Sequence, residues 1–287
     1  MAVITLDHNP AHLGLLDLRA NIPFACPDGE ELCLQLVKPQ WSSGGNGFPL
    51  VLFIQGSGWQ KPNQFWEIPQ LCLLAMRGYV IASVTHRSCH TAPAPAFLQD
   101  VKTALRFLKA NAQEFDIDKN RVCAWGTSSG GNTSLLMGLT ADDPAFETGD
   151  HAGESTAVQA VVDCFGPTDL TGIFDTLPEE LRWHEHNLLF SLGGKDPRAC
   201  RERLALVNPA AYVRPDRRLP PFLLLHGDAD TMVPYEQSES FYHLLTRNGC
   251  QADLVRVKNA PHEDTFWSRE LLEIIFAFIE KNVQRES

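Results

Sequence analysis

The apolar residues of this chain fall in short blocks separated by longer amphipathic stretches. Residues 49–54 read Pro-Leu-Val-Leu-Phe-Ile, an unbroken apolar run. Such a run suits a strand buried on both faces of a parallel sheet. Similar blocks return at 79–84, 121–125, 157–164, 221–225 and 252–257. Between them the period becomes helical, at 64–77 (ending at Gly78), 97–111, 129–139, 235–247 and 268–282. In the second of these, Val101, Leu105 and Leu108 share one face, as an amphipathic helix requires. Upstream, 21–38 alternates as two short strands around Pro27-Asp28-Gly29. Strand and helix alternating from residue 49 onward specify an α/β fold, with a mostly parallel sheet, right-handed crossovers and helices on both faces.

One interval breaks the rhythm. Residues 166–219, between the fourth and fifth parallel strands, are too many for a plain connection. Short helices are expected there at 178–192 and 197–207, the second with Asp196 placed to cap it and Pro197 in its first turn. Leu181, Leu188 and Leu192 would share one face, and Cys200, Leu204 and Val207 another. The expectation is one domain over 1–287, with 166–219 as a small cap over the sheet's carboxyl edge, where open α/β sheets bind ligands.

Charge narrows the partners. With 24 basic and 35 acidic side chains, the net charge is −11. A surface of that sign repels phosphate backbones and anionic lipid, so neither nucleic acid nor a membrane is an expected partner. No apolar run approaches the roughly 18 residues of a membrane helix. Asp7, His8, Asn9 and Pro10 stand where a signal peptide would be apolar. The expectation is a cytoplasmic protein acting on a small molecule, with a homo-oligomer compatible. The eight cysteines form no Cys-x-x-Cys, so no zinc site is expected, and Cys123 and Cys164 read as buried reduced thiols.

The strongest chemical signal is Gly126-Thr127-Ser128-Ser129-Gly130-Gly131. A strand runs into it and a helix runs out, which is the context of a nucleophile elbow. A serine hydroxyl needs a base, and His262 follows the last strand in Asn259-Ala260-Pro261-His262. The base needs an orienting carboxylate. His226-Gly227-Asp228-Ala229-Asp230 offers two. Asp230, further along the loop, is better placed to reach sideways, and Asp228 to brace the loop. Strand 49–54 ends in Gln55-Gly56-Ser57-Gly58-Trp59, a turn able to aim the N–H groups of Gly56, Ser57 and Gly58 at an oxyanion, with Ser129 completing the hole. Trp59 and Phe165 are candidates to line the substrate pocket. Arg87 is expected to pair with Asp100, Asp163 to serve structurally, and His184, Glu185 and His186 to form a solvated surface rather than a metal site.

Together these residues resemble the α/β-hydrolase superfamily over about 49–282, in the chain order Ser128, Asp230, His262. Within it the chain looks like the esterase/lipase branch, whose oxyanion loop usually reads His-Gly-Gly-Gly-Trp. Small carbohydrate esterases of the feruloyl and acetyl-xylan type, kynurenine-formamidase-like enzymes and prolyl-oligopeptidase catalytic domains belong there. Gln55 and Ser57 depart from that pattern. The resemblance implies a serine ester hydrolase working through an acyl-enzyme, with no metal or organic cofactor. The acyl group is expected to be short or small and aromatic, on a soluble alcohol such as a sugar. An amide-bond hydrolase on the same fold is the alternative.

Overall fold

The computed structural model describes residues 2–8, 14–215 and 217–283; Asn9 and Pro10 lie outside the described residues. Eight strands form one sheet: β1 (Leu16–Ala25), β2 (Leu32–Pro39), β3 (Phe48–Ile54), β4 (Val80–Val84), β5 (Ile117–Thr127), β6 (Ala160–Cys164), β7 (Phe222–Gly227) and β8 (Ala252–Val257). Their spatial order is β1-β2-β4-β3-β5-β6-β7-β8. β1 pairs antiparallel with β2, and β2 with β4; from β4 to β8 every pairing is parallel.

Strand alternation assigns each side chain to a face. Leu50, Leu52 and Ile54 of β3 enter one core with α2 (Ala96–Ala110), α4 (Ser129–Leu139) and α9 (Glu236–Arg247). Val51 and Phe53 enter the other, with α1 (Ile68–Ala75) and α10 (Arg269–Asn282). A further turn of helix, α3 (Ala112–Phe115), follows α2.

Several boundaries differ from expectation for identifiable reasons. α1 starts at Ile68, not 64, with Pro69 in its first turn. Residue 64 is held elsewhere, because the Gln64 amide accepts from Gln35 Nε2 at 2.7 Å and donates to the Cys33 carbonyl. β5 begins at Ile117, ahead of the apolar block, because Ile117 pairs with Phe48 at the start of β3. β6 starts at 160 rather than 157.

Residues 166–219 contain α5 (Leu170–Thr176), α6 (Glu179–Arg182), α7 (Leu188–Leu192) and α8 (Cys200–Leu206). The single helix expected over 178–192 is therefore split. Asn187 splits it: its Oδ1 accepts from the Leu189 and Phe190 N–H groups at the start of α7, and its Nδ2 donates to the Leu181 and Arg182 carbonyls at the end of α6. Leu181 is exposed, so it does not share a buried face with Leu192. α8 begins at Cys200, after a turn in which the Asp196 carbonyl accepts from Ala199 and Cys200 N–H. No helix among the described residues is long and apolar enough to cross a membrane.

Candidate active site

The elbow sits where β5 turns into α4. A Cβ at Gly126 would run into the Gly130 carbonyl, and one at Gly130 into the Ile54 carbonyl, so both positions need glycine. Ser128 has φ 51° and ψ −121°, a conformation L residues rarely adopt. Its N–H donates to the Cys164 carbonyl at 2.8 Å, fixing the turn to β6.

His262 Nε2 lies 2.9 Å from Ser128 Oγ, and His262 Nδ1 lies 2.6 Å from Asp230 Oδ2. An ionised carboxylate only accepts, so Nδ1 carries the proton and Nε2 accepts from the serine hydroxyl. The Asp230 side chain is fully buried. Burial opposes its charge, yet hydrogen bonds from His226, His262 and the Val233 N–H outweigh burial and hold the carboxyl well below the usual carboxylate range. Asp228 faces elsewhere: it accepts from Asn259 N–H at 2.5 Å and Arg256 Nε at 2.9 Å, tying the end of β7 to the loop that carries His262. Gly227 permits that approach, since a Cβ there would strike the Ala260 carbonyl.

The oxyanion loop shows a division of labour. Gly56 N–H donates to Thr127 Oγ1 at 2.8 Å and is not a free donor. This corrects its expected role: a Cβ at Gly56 would come within 2.8 Å of Ser128 Cβ, so the residue permits close approach. Ser57 N–H donates to Ser129 Oγ at 2.9 Å and becomes available only when that hydroxyl turns away. Of the other two expected donors, Gly58 stands at φ 61° and Ser129 is the first residue of α4. Gln55 braces the loop, its Oε1 accepting from Asn63 N–H at 2.5 Å.

The two aromatic candidates are corrected. Trp59 is buried in the core, 6.4 Å from the Phe97 ring. Phe165 is wholly buried and packs edge-on against the His262 ring at 4.7 Å. It supports the imidazole, and its N–H donates to the Leu225 carbonyl of β7 at 2.8 Å. Arg87 grips Asp100 with Nε and Nη2, at 3.0 and 2.8 Å, and reaches Asp28 at 2.6 Å. His184 and His186 lie with ring centroids 5.1 Å apart, and the His186 side chain is 83% exposed. Among the described residues no group of three or more His, Cys, Asp and Glu side chains is placed to hold a metal ion.

The BD-FAE family profile matches residues 34–245, from β2 through most of α9. The chain belongs to the BD-FAE family. This BD-FAE chain is 32% identical over 201 residues to Esterase LipC of Mycobacterium tuberculosis, a match covering 69% of the chain and 48% of LipC. It is 26% identical over 287 residues to Esterase LipQ of the same organism, covering 96% of the chain and 66% of LipQ. The chain thus spans roughly half to two-thirds of the length of these relatives. In structure it matches a truncated form of a carbohydrate esterase from gut microbiota at a TM-score of 0.81 and 24% identity, over 96% of this chain and 99% of that one, which is agreement of fold.

One residue of the BD-FAE site escaped the sequence reading. His226, wholly buried at the end of β7, places Nε2 3.2 Å from Asp230 Oδ2 and 2.8 Å from the Val233 carbonyl. Both partners accept, so Nε2 carries the proton, and Nδ1, 2.7 Å from Ser238 Oγ, accepts from that hydroxyl. His226 thereby holds the same oxygen of Asp230 that His262 contacts. The signal was its spacing four residues before Asp230 in the same loop motif.

Proposed function

We propose that the chain is a serine carboxylic ester hydrolase with Ser128 as nucleophile, His262 as general base and acid, and Asp230 as the orienting carboxylate. The observation that carries this reading is the continuous line from Ser128 Oγ through the His262 ring to Asp230, at 2.9 and 2.6 Å. The names of LipC and LipQ as esterases support it.

In the reaction so read, Ser128 Oγ attacks the ester carbonyl carbon and its proton passes to His262 Nε2. The carbonyl oxygen takes the negative charge, held by the N–H groups of Ser129 and Gly58, and by Ser57 once Ser129 Oγ releases it. Each donor contributes roughly 3 kcal/mol to the transition state. Collapse breaks the bond to the alkoxide, which takes the proton from Nε2 and leaves as alcohol. Water then attacks the acyl-enzyme, losing a proton to Nε2, and the acid departs as Ser128 regains that proton. Asp230 stays ionised throughout and stabilises the imidazolium.

Residues 166–219 act as a fixed cap in this reading. α7 closes on the oxyanion loop, where a Cβ at Gly58 would come within 2.7 Å of Leu188 Cδ1. A roof so near the oxyanion loop favours short acyl groups on a water-soluble alcohol. The test is a fluorophosphonate probe with peptide mapping, run beside p-nitrophenyl acetate and an aryl acetamide. Ser128 should be the labelled residue, Ser128→Ala should lose labelling and ester turnover, and the acetamide should be the poorer substrate. Ester turnover surviving in Ser128→Ala would overturn the assignment.

A further inference from the structure

Thr85, the first residue after β4, is 3% exposed, and its hydroxyl meets no hydrogen-bond partner among the described residues. Buried hydroxyls are normally paired, and one left alone is a standing cost to the fold. Thr85 lines an open cleft of about 440 Å³, outside the machinery described above. Asn21, Glu31, Lys61, Pro62 and Gln64 form much of the remaining wall.

The cleft has its own place in the fold. β4 pairs with β3 and β3 with β5, so Thr85 stands two strands, about 10 Å, from the elbow. Lys61, Pro62 and Gln64, from the stretch that follows the oxyanion loop in the chain, line it. Their neighbour Asn63 is the residue whose N–H is bonded to Gln55.

The wall has fixed polarity, and the carboxylates of Glu30 and Glu31 outnumber its one ammonium, Lys61. Lys61 Nζ lies 3.6 Å from Glu30 Oε1, and the Cys33 thiol donates to Glu31 Oε1 at 3.7 Å. Gln64 is 9% exposed, its amide clamped by Gln35 and the Cys33 carbonyl. A ligand there must carry no negative charge. It needs hydroxyls that both donate and accept, to meet Thr85 and the amide groups, and an apolar face to lie on the Pro62 ring. We propose that this cleft binds a single neutral sugar ring at a site separate from Ser128, with the Thr85 hydroxyl as a buried contact. The proposal stands apart from the esterase reading, because its readout is binding and not turnover.

The probes are D-glucose, D-galactose, D-xylose and L-arabinose, titrated calorimetrically into the full chain, with glycerol as a control for general cosolvent stabilisation. At least one sugar should bind saturably at one site. Thr85→Val should weaken it at least ten-fold while melting no lower than the parent, since the hydroxyl lost had no partner. Ser128→Ala should bind the sugar as the parent does. Independently of any variant, that sugar should slow alkylation of Cys33, which lines the same cleft, at least three-fold by peptide mass mapping. The proposal fails if no sugar binds saturably, if Cys33 is not protected, or if Thr85→Val binds unchanged. It also fails if Thr85→Val melts lower, which would mark the hydroxyl as a structural water ligand, or if Ser128→Ala abolishes binding, which would move the sugar to the ester site.

Discussion

Both oxygens of Asp230 are committed: Oδ2 faces His262 and His226, and Oδ1 accepts from the N–H groups of Met232 and Val233 at 2.8 and 2.9 Å. Asp230→Asn removes the charge that stabilises the imidazolium and frees the ring's tautomer, so kcat should fall about 10³-fold or more. Asp228→Asn leaves that charge in place and should act mainly on stability, through the ties to Asn259 and Arg256. Steady-state kinetics on the two variants decides between them, and the reverse ranking would sink the assignment of Asp230. His226 acts only through Asp230, which makes it a positioning residue. His226→Asn should lower kcat about ten-fold with little change in KM, and a loss confined to KM would remove it from this role. Asp230 was legible in the sequence because a loop leaving a strand can reach sideways. His226 was not, because its role depends on the Val233 carbonyl curling back onto its ring. Trp59 and Phe165 were misread for a related reason: aromatic rings beside a site are as readily driven into the core by their neighbours as left facing a ligand.

At the scale of elements, the β5–α4 junction combines function with strain. A positive φ outside the left-handed helical well costs about 1–3 kcal/mol for a residue bearing a Cβ. Glycine relieves that, less roughly 0.5–1 kcal/mol of extra unfolded-chain entropy. Ser128→Gly should therefore melt above Ser128→Ala, both being inactive, and calorimetry showing them equal would mean the elbow is unstrained. The end of β6 carries a second tension. Asp163 is wholly buried, with Oδ1 accepting from Gly166 N–H at 3.0 Å and Oδ2 unpartnered among the described residues. Burial pushes its carboxyl well above the usual range, opposed only by that one N–H. A carboxyl raised in the folded state contributes fully below its ordinary value of about 3.9 and loses that contribution as pH climbs toward the folded value. Asp163→Asn, neutral at every pH, should gain on the parent in urea titrations at pH 8.5 and show little gain at pH 4. An equal gain at both would mean the carboxyl is ionised in the fold. The structural role of Asp163 was legible from its place at a strand end. The three buried cations of α2 were not. Lys102, Arg106 and Lys109 are covered by the loop after α4, donating to Thr140, Asp150, Ser155 and Ala157 carbonyls and pairing with Glu147, contacts far along the chain that no local pattern announces.

The whole molecule is a sheet with two cores, and its alternating strands were legible because period-two patterning and unbroken apolar blocks report burial directly. The inserted segment was legible in length but not in form, since splitting one helix into α6 and α7 depends on a single amide, Asn187, bonding in both directions. Its attachment is what bears on substrate size. α7 rests on Gly58 through Leu188, the Leu192 carbonyl accepts from Ala94 N–H at 2.8 Å, and Thr168 Oγ1 donates to the Gln237 carbonyl of α9 at 2.9 Å. Those ties reach three separate loops or helices of the sheet domain, so the segment is pinned on several sides and is poorly built to swing as a lid. A roof fixed within van der Waals reach of the oxyanion loop leaves little depth for a long hydrocarbon tail, and a surface of net charge −11 gains nothing at an anionic interface. The kcat/KM for p-nitrophenyl esters should therefore peak between acetate and butyrate and fall steadily toward palmitate. Leu188→Ala, which removes the side chain nearest Gly58, should shift the optimum to longer chains. A maximum at laurate or beyond in the parent, or a jump in rate at an oil–water interface, would show that the segment opens after all.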